Sequence, residues 1–347
     1  STSLQPHHPV LGRDGKAGYF SQPQSTGRTC RHKLSVGTEY IVDVLKSQTD
    51  NIAKEDAYTL ALFAQDEIKL LRNLQALIGV RYIYHENFKN HATPNVALMY
   101  KPGKFNFRAS YAAGFRTPTL SELYATDIAK KNDRLTIGNL DLKPEKNNYF
   151  SLSAEYVHER FSVSVNAFYN NIRDMIDYNT IATGDKAMEQ YGHKEVRQRD
   201  NIAEAKVHGI NVSANAYLGA GFNLSGGYTH LNTQDVELEQ PIDKSIKNAY
   251  NINAQWAHSW KIYRLNINLN GRINSKRFSK SYGYAPEYQL WNLNTRHSFN
   301  LKSVIIEPGC GMENLFDYMD DRPYNSNYAT LTPGRSFYIS LSLKFKS

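Results

Sequence analysis

Apolar and polar side chains alternate with period two along most of this chain. At 161–167, Phe161, Val163, Val165 and Ala167 oppose Ser162, Ser164 and Asn166. At 263–270, Tyr263, Leu265, Ile267 and Leu269 oppose Arg264, Asn266, Asn268 and Asn270. At the C-terminus, Phe337, Ile339, Leu341, Leu343 and Phe345 oppose Tyr338, Ser340, Ser342 and Lys344. This period places successive side chains on opposite faces of a strand. Further strands read from Phe105 to Tyr111, Phe150 to Tyr156, Phe222 to Tyr228 and Ile252 to Trp256. The pattern predicts about fourteen strands between Leu34 and Phe345, and no amphipathic helix.

The connections add a second rhythm. Short turns fall near 70–73, 101–104, 158–160, 218–221, 258–260 and 299–303. Long polar stretches fall near 45–57, 85–94, 115–147, 174–202, 231–249, 274–287 and 317–335. This reading alternates long with short without exception, as expected when one set of turns faces the periplasm and the other reaches outside. The expected fold is therefore all-β: a transmembrane, antiparallel, up-and-down β-barrel with its apolar face toward lipid and its Asn/Ser/Arg face toward a wet lumen. A soluble sandwich is the alternative, but it gives no reason for seven long loops on one side.

Composition sharpens the choice. The chain has 347 residues, of which 21% are charged and 41% hydrophobic. Its apolar runs reach five residues, as at Leu60–Ala64, where a transmembrane helix needs roughly 20. The 24 Tyr outnumber the 15 Phe, which suits surfaces that are apolar on one side and wet on the other. Tyr111, Tyr156, Tyr169, Tyr228, Trp256 and Trp291, near strand ends, are expected at the membrane interfaces. The net charge of +8 is scattered, with no run of basic residues to track phosphates, so nucleic acid is not an expected partner. Cys30 and Cys310 allow one bridge and form no C-x-x-C. No G-x-S-x-G, H-E-x-x-H, P-loop or post-strand G-x-G-x-x-G is present, and no enzymatic role is expected.

Three motifs carry more. After the strand ending at Tyr111 comes Gly114-Phe115-Arg116-Thr117-Pro118-Thr119-Leu120-Ser121-Glu122-Leu123-Tyr124. Farther on stands Gly138-Asn139-Leu140-Asp141-Leu142-Lys143-Pro144-Glu145. Near the end lies Glu313-Asn314-Leu315-Phe316-Asp317, then Pro333-Gly334-Arg335 and a terminal aromatic strand. Together these resemble TonB-dependent outer-membrane receptors over most of residues 33–347. The first two match segments that share one extracellular loop in that family, the third its last hairpin, and Phe345 its terminal aromatic signal.

The resemblance implies an outer-membrane receptor that imports an iron chelate (haem or a siderophore) or cobalamin. Its implied partners are the TonB complex, reached through a plug domain, outer-membrane lipid and, in some cases, a surface lipoprotein. No cofactor is implied. A passive porin-like channel and a surface-binding barrel without transport are the alternatives. Barrels of this family have about 22 strands around a plug, and at about 22 residues per strand these need roughly 490 residues. The chain is thus expected to be the C-terminal barrel portion (33–347), with the plug and early strands absent. Residues 1–32, rich in Pro, Gly, Gln and Ser, are expected to be irregular.

Candidate ligand residues in the loop motifs are Arg116, Glu122, Tyr124, Lys143 and Glu145. Arg116 and Glu122 read equally as ligand contacts or as a bracing ion pair. Haem receptors of this kind carry a His between the two loop motifs, and Arg116–Leu140 contains none. His91, His193 and His230, in expected loops, are the remaining haem-ligand candidates, and each reads first as an ordinary loop histidine. No metal ligand set is assigned.

Overall fold

The computed structural model describes residues 24–28, 31–47, 52–129, 133–201, 204–320 and 327–346. In chain order the first strands are β1 Gln24–Arg28, β2 His32–Ser47, β3 Ile52–Leu71, β4 Leu74–His85, β5 Lys89–Tyr100 and β6 Phe105–Arg116. Helix α1, Leu120–Tyr124, leads to β7 Thr126–Ala129, β8 Arg134–Ile137, β9 Glu145–Val157 and β10 Phe161–Arg173. Strand β11 Ile176–Thr183, helix α2 Gly184–Tyr191 and strand β12 Glu195–Asn201 follow. Then come β13 Ala205–Gly219, β14 Phe222–Asp235, β15 Asn248–Trp260, β16 Tyr263–Asn274, β17 Arg277–Ser279 and β18 Gly283–Ala285. The last are β19 Tyr288–Asn300, β20 Val304–Glu313 and β21 Ser336–Phe345.

One antiparallel sheet of 15 strands takes every long strand in sequence order, β1 through β6, then β9, β10, β13 to β16, and β19 to β21. Fourteen of them lie between His32 and Phe345, as the alternation predicts. The sheet is open, with β1 and β21 at its edges among the described residues. Strand β1 lies inside the segment expected to be irregular and pairs with β2 from Gln24↔Gly37 to Arg28↔Lys33.

Facing follows the sequence pattern and is inverted relative to a soluble protein. Along β10, Phe161, Val163, Val165 and Tyr169 are exposed, whereas Ser162, Ser164 and Asn166 are half-buried. On β5, Val96, Leu98 and Tyr100 are exposed, and Asn95, Ala97 and Met99 are covered. The polar face is knitted by side chains across strands: Ser110–Ser151 at 2.6 Å, Ser164–Ser213 at 2.7 Å, and Thr229 donating to Asn211 at 2.9 Å. No helix among the described residues is long and apolar enough to cross a membrane; the strands provide the apolar band.

Aromatic rows bound that band. Beside the short turns run Phe105–Tyr156 (4.9 Å between ring centres), Tyr156–Phe161 (5.7 Å), Phe222–Trp256 (5.9 Å), Trp260–Tyr263 (5.5 Å) and Tyr263–Phe299 (5.0 Å). Toward the long loops stand Tyr58–Tyr84 (5.9 Å), Tyr111–Phe150 (4.8 Å) and Tyr228–Tyr250 (4.7 Å). Both belts suit amphipathic rings at a membrane–water boundary.

Three expectations are corrected. The stretches 45–57 and 85–94 are not long loops: β2 and β3 join through 48–51, and β4 and β5 through 86–88. The rule of alternating lengths therefore fails at the β2–β3 and β4–β5 hairpins. Strand β3 runs 20 residues, about twice the 9–11 that cross a bilayer, so strands continue as polar ladder beyond the apolar band. Polarity alone made those extensions read as loops. Likewise His91 lies on β5 and His230 on β14, not in loops. Two short helices also occur, both within the loops. Cys30 falls outside the described residues.

Val165 sits midway between Phe161 and Tyr169 on the exposed face. Val165→Arg should cost about 2–4 kcal/mol, whereas Asn166→Arg should be tolerated. Urea unfolding in lipid vesicles measures both, and equal costs would refute the assigned faces.

Candidate functional site

The two longest connections, 117–144 and 174–204, fold together. Strands β7 and β8 come from the first, β11 and β12 from the second, and they form one sheet in the order β11-β12-β8-β7. The joint is parallel, from Glu195↔Arg134 to Gln198↔Ile137. Loops this long without structure of their own are uncommon. Here the polar stretches contain enough apolar residues to make small cores.

Three apolar clusters hold this cap. Leu120 of α1 packs on Leu45 and Ala57 at the tops of β2 and β3. Leu123, Leu142 and Ile176 form the second cluster, against Phe88. Ala182, Ala187 and Val196 form the third, flanked by Leu135, Ile137 and Tyr191. Tyr124 touches the first two, so its ring is a packing element between them.

Arg116, the last residue of β6, faces Glu145, the first of β9. Its Nε donates to Glu145 Oε2 at 2.8 Å and one Nη to Oε1 at 2.5 Å, a bidentate fork. The other Nη donates to Glu122 Oε2 at 2.9 Å. Glu145 Oε1 also accepts the Ile176 backbone N–H at 2.8 Å, so one carboxylate ties β6 to the start of the second loop. Glu122 closes a capping box on α1: Thr119 N–H donates to its Oε2 at 2.8 Å, and Thr119 Oγ1 accepts Glu122 N–H at 3.2 Å.

Partial burial pushes the Glu122 carboxyl up, but the Thr119 and Arg116 donors outweigh it and hold the group below the ordinary glutamate value. Gly138 closes this layer. A Cβ there would meet Leu123 O at 2.5 Å, so only glycine admits the approach. Asn201 stitches the loops, accepting Lys143 N–H at 2.7 Å and donating to Lys143 O at 2.9 Å and Asp174 O at 2.6 Å.

The remaining sequence candidates do not converge. Lys143 is exposed. His193 Nδ1 lies 2.9 Å from Asp133 Oδ1, and that hydrogen bond lowers the Asp133 pKa. His91 stacks on Phe115 at 3.8 Å, and His230 Nδ1 lies 2.8 Å from Asn248 Oδ1. Among the described residues no three His, Cys, Asp or Glu side chains group as metal ligands. Among residues not singled out from sequence, Arg199 lies 3.7 Å over the exposed Tyr178 ring and donates to its hydroxyl at 2.6 Å. Asn201 and Arg199 carried no sequence signal, because their partners lie in another loop or across a new sheet.

A family model described as "TonB dependent receptor-like, beta-barrel" matches residues 7–315. The chain belongs to this family. TonB-dependent receptors are outer-membrane proteins, and this receptor is 23% identical over 329 residues to the ferric enterobactin receptor of Pseudomonas aeruginosa, covering 84% of the chain and 43% of that protein. In structure it resembles that receptor's Q482A mutant in complex with enterobactin, with a TM-score of 0.78, 19% identity, and coverage of 95% of this chain and 54% of the other. The siderophore receptor PirA from P. aeruginosa gives a TM-score of 0.73 at 17% identity, covering 96% and 57%. At such identities the structural likeness concerns the fold. The chain spans about half the length of the relatives it matches.

Because the folded pKa of Glu122 is depressed, its stabilising contribution is complete above the unfolded value of about 4.3 and is lost as pH falls through the lower folded value. Limited proteolysis within 117–144 should therefore be unchanged from pH 7 to 5 and should accelerate below about pH 4. Arg116→Lys keeps the charge but loses the fork. It should loosen the cap by about 1–2 kcal/mol, discounted for the half-exposed guanidinium. Equal protease resistance of Arg116→Lys and wild type would remove the brace from the account.

Proposed function

We propose that this receptor imports a ferric siderophore across the outer membrane, with energy supplied through the TonB complex by way of a plug domain. The observation that carries this reading is the cap: two loops welded into one sheet and tied to the barrel wall by Arg116 and Glu145, on a chain of this family. Capturing a scarce solute demands affinity, and a preformed surface loses less entropy on binding than mobile loops do. A passive pore has no such need.

Catecholate chelates of ferric iron are anionic and aromatic. In this reading the exposed Lys143 supplies charge, and Tyr178, held by Arg199, supplies a rigid ring. Arg116, Glu122 and Glu145 shape the cap, and Tyr124 packs beneath it. The relative in complex with enterobactin supports a siderophore ahead of haem or cobalamin, and transport ahead of catalysis.

Disrupting the gene should abolish growth on ferric siderophores under iron limitation and uptake of radioactive iron supplied as ferric enterobactin or a hydroxamate chelate. Tyr178→Ala or Lys143→Ala should weaken chelate binding about tenfold, equivalent to about 1.4 kcal/mol. Uptake of haem or cobalamin with no siderophore uptake would replace the proposed ligand. Steady ion conductance by purified receptor in planar bilayers, with no chelate uptake in cells, would favour a passive channel.

A further inference from the structure

The ladders β4–β5 and β6–β9 run to the last residues of both strands, His85↔Lys89 and Arg116↔Glu145. The ladder between β5 and β6 does not. It runs from Tyr100↔Phe107 to Asn95↔Ala112 and stops, although β5 continues to Lys89 and β6 to Arg116. Each strand keeps its other neighbour along the whole of this stretch.

Hydrogen-bond phase explains the stop. Lys101 N–H donates to Asn73 O at 2.7 Å, so odd-numbered residues of β5 turn their backbone groups to β4 and even-numbered ones to β6. The last pair, Asn95↔Ala112, is closed by Val96 N–H donating to Tyr111 O and Ala113 N–H donating to Pro94 O, and the next bond would require the N–H of residue 94. As a proline, that residue has none. By the same phase Asn90 and Ala92 on β5, and Phe115 on β6, point backbone groups across a junction without ladder pairs. Rings fill it instead. His91 stacks on Phe115 with centres 3.8 Å apart, and its Nε2 donates to Phe88 O at 2.9 Å. At the foot of the gap the Oδ1 of Asn95 is buried without a hydrogen-bond partner.

We propose that Pro94 makes the upper β5–β6 junction a seam, that the His91–Phe115 stack latches it, and that the top of β6, with Arg116 and the cap, moves with β9 rather than with β5. The seam starts just beyond Tyr111 of the aromatic row, where water can satisfy the free backbone groups without the cost that hydrocarbon would impose. The same ladder that frees β6 from β5 binds it to β9, and the Arg116–Glu145 fork lies on that side. The seam is a property of the wall and holds whatever the ligand.

Residue-resolved hydrogen exchange on the receptor in detergent micelles tests this without ligand. The amides of Asn90, Ala92 and Phe115 should exchange at least about tenfold faster than those of Val96, Leu98, Ala109 and Tyr111, because they lack a ladder bond. Phe115→Ala, which removes the latch, should speed the Asn90 and Ala92 amides further and leave Val96 and Tyr111 unchanged. Pro94→Ala supplies the missing donor and should slow Ala92 and Phe115 toward the rate of Val96. Equal protection above and below Asn95 in the wild type would overturn the seam. Phe115→Ala exchange identical to wild type would overturn the latch, and that comparison decides even if Pro94→Ala fails to fold.

Discussion

Backbone polar groups in hydrocarbon must be paired within the protein, and the rest of this structure follows from that demand. The answer is a sheet of 15 strands joined neighbour to neighbour in sequence order. A wall one sheet thick has no interior of its own. Its apolar side chains, such as Val96, Leu98, Val163 and Val165, face outward, and its polar ones stabilise the other face through pairs such as Ser110–Ser151. Burial therefore cannot stabilise the barrel as it does a soluble domain. The sizeable apolar clusters are displaced to the loop end, around Leu120, Leu123 and Val196.

That displacement gives the cap its character. It is a small water-facing unit built from two loop segments, anchored on the wall by apolar contacts and one fork. Leu120 against Leu45 and Ala57 supplies the apolar anchor; Arg116 with Glu145 and Glu122 supplies direction. The two act on the same short helix. The capping box fixes the first turn of α1 and presents Leu120 and Leu123 to their clusters. Removing the fork therefore loosens apolar contacts as well as charges.

The wall was legible in the sequence because its signal is local. Alternation at 161–167 assigned the faces of β10, and aromatics flanking the short turns at 101–104, 158–160, 218–221 and 258–260 marked one membrane boundary. Less legible was where strands end, since hydropathy reports where a strand leaves lipid, not where its ladder stops. Asn90, His91 and Thr93 read as loop for that reason, as did His230. The cap was largely hidden. Thr119-x-x-Glu122 is a helix signature that can be read from sequence, but the β8–β12 pairing joins residues such as Leu135 and Val196, and no local pattern encodes it. Of the site residues, the motif segments located Arg116, Glu122 and Glu145, while Asn201 and Arg199 required the fold.

The charge arrangement then separates architecture from recognition. Arg116 uses three of its five N–H donors on two carboxylates, so one guanidinium and two carboxylates leave a local excess of negative charge. An anionic chelate gains nothing by approaching that group unless the brace opens first. Lys143 lies on the same cap, exposed and outside any ion pair among the described residues. Its backbone is clamped on both sides by Asn201, which fixes where the side chain starts. Lys143 is thus a cation that the fold positions but does not neutralise. The most prominent motif arginine serves the surface by holding it in shape.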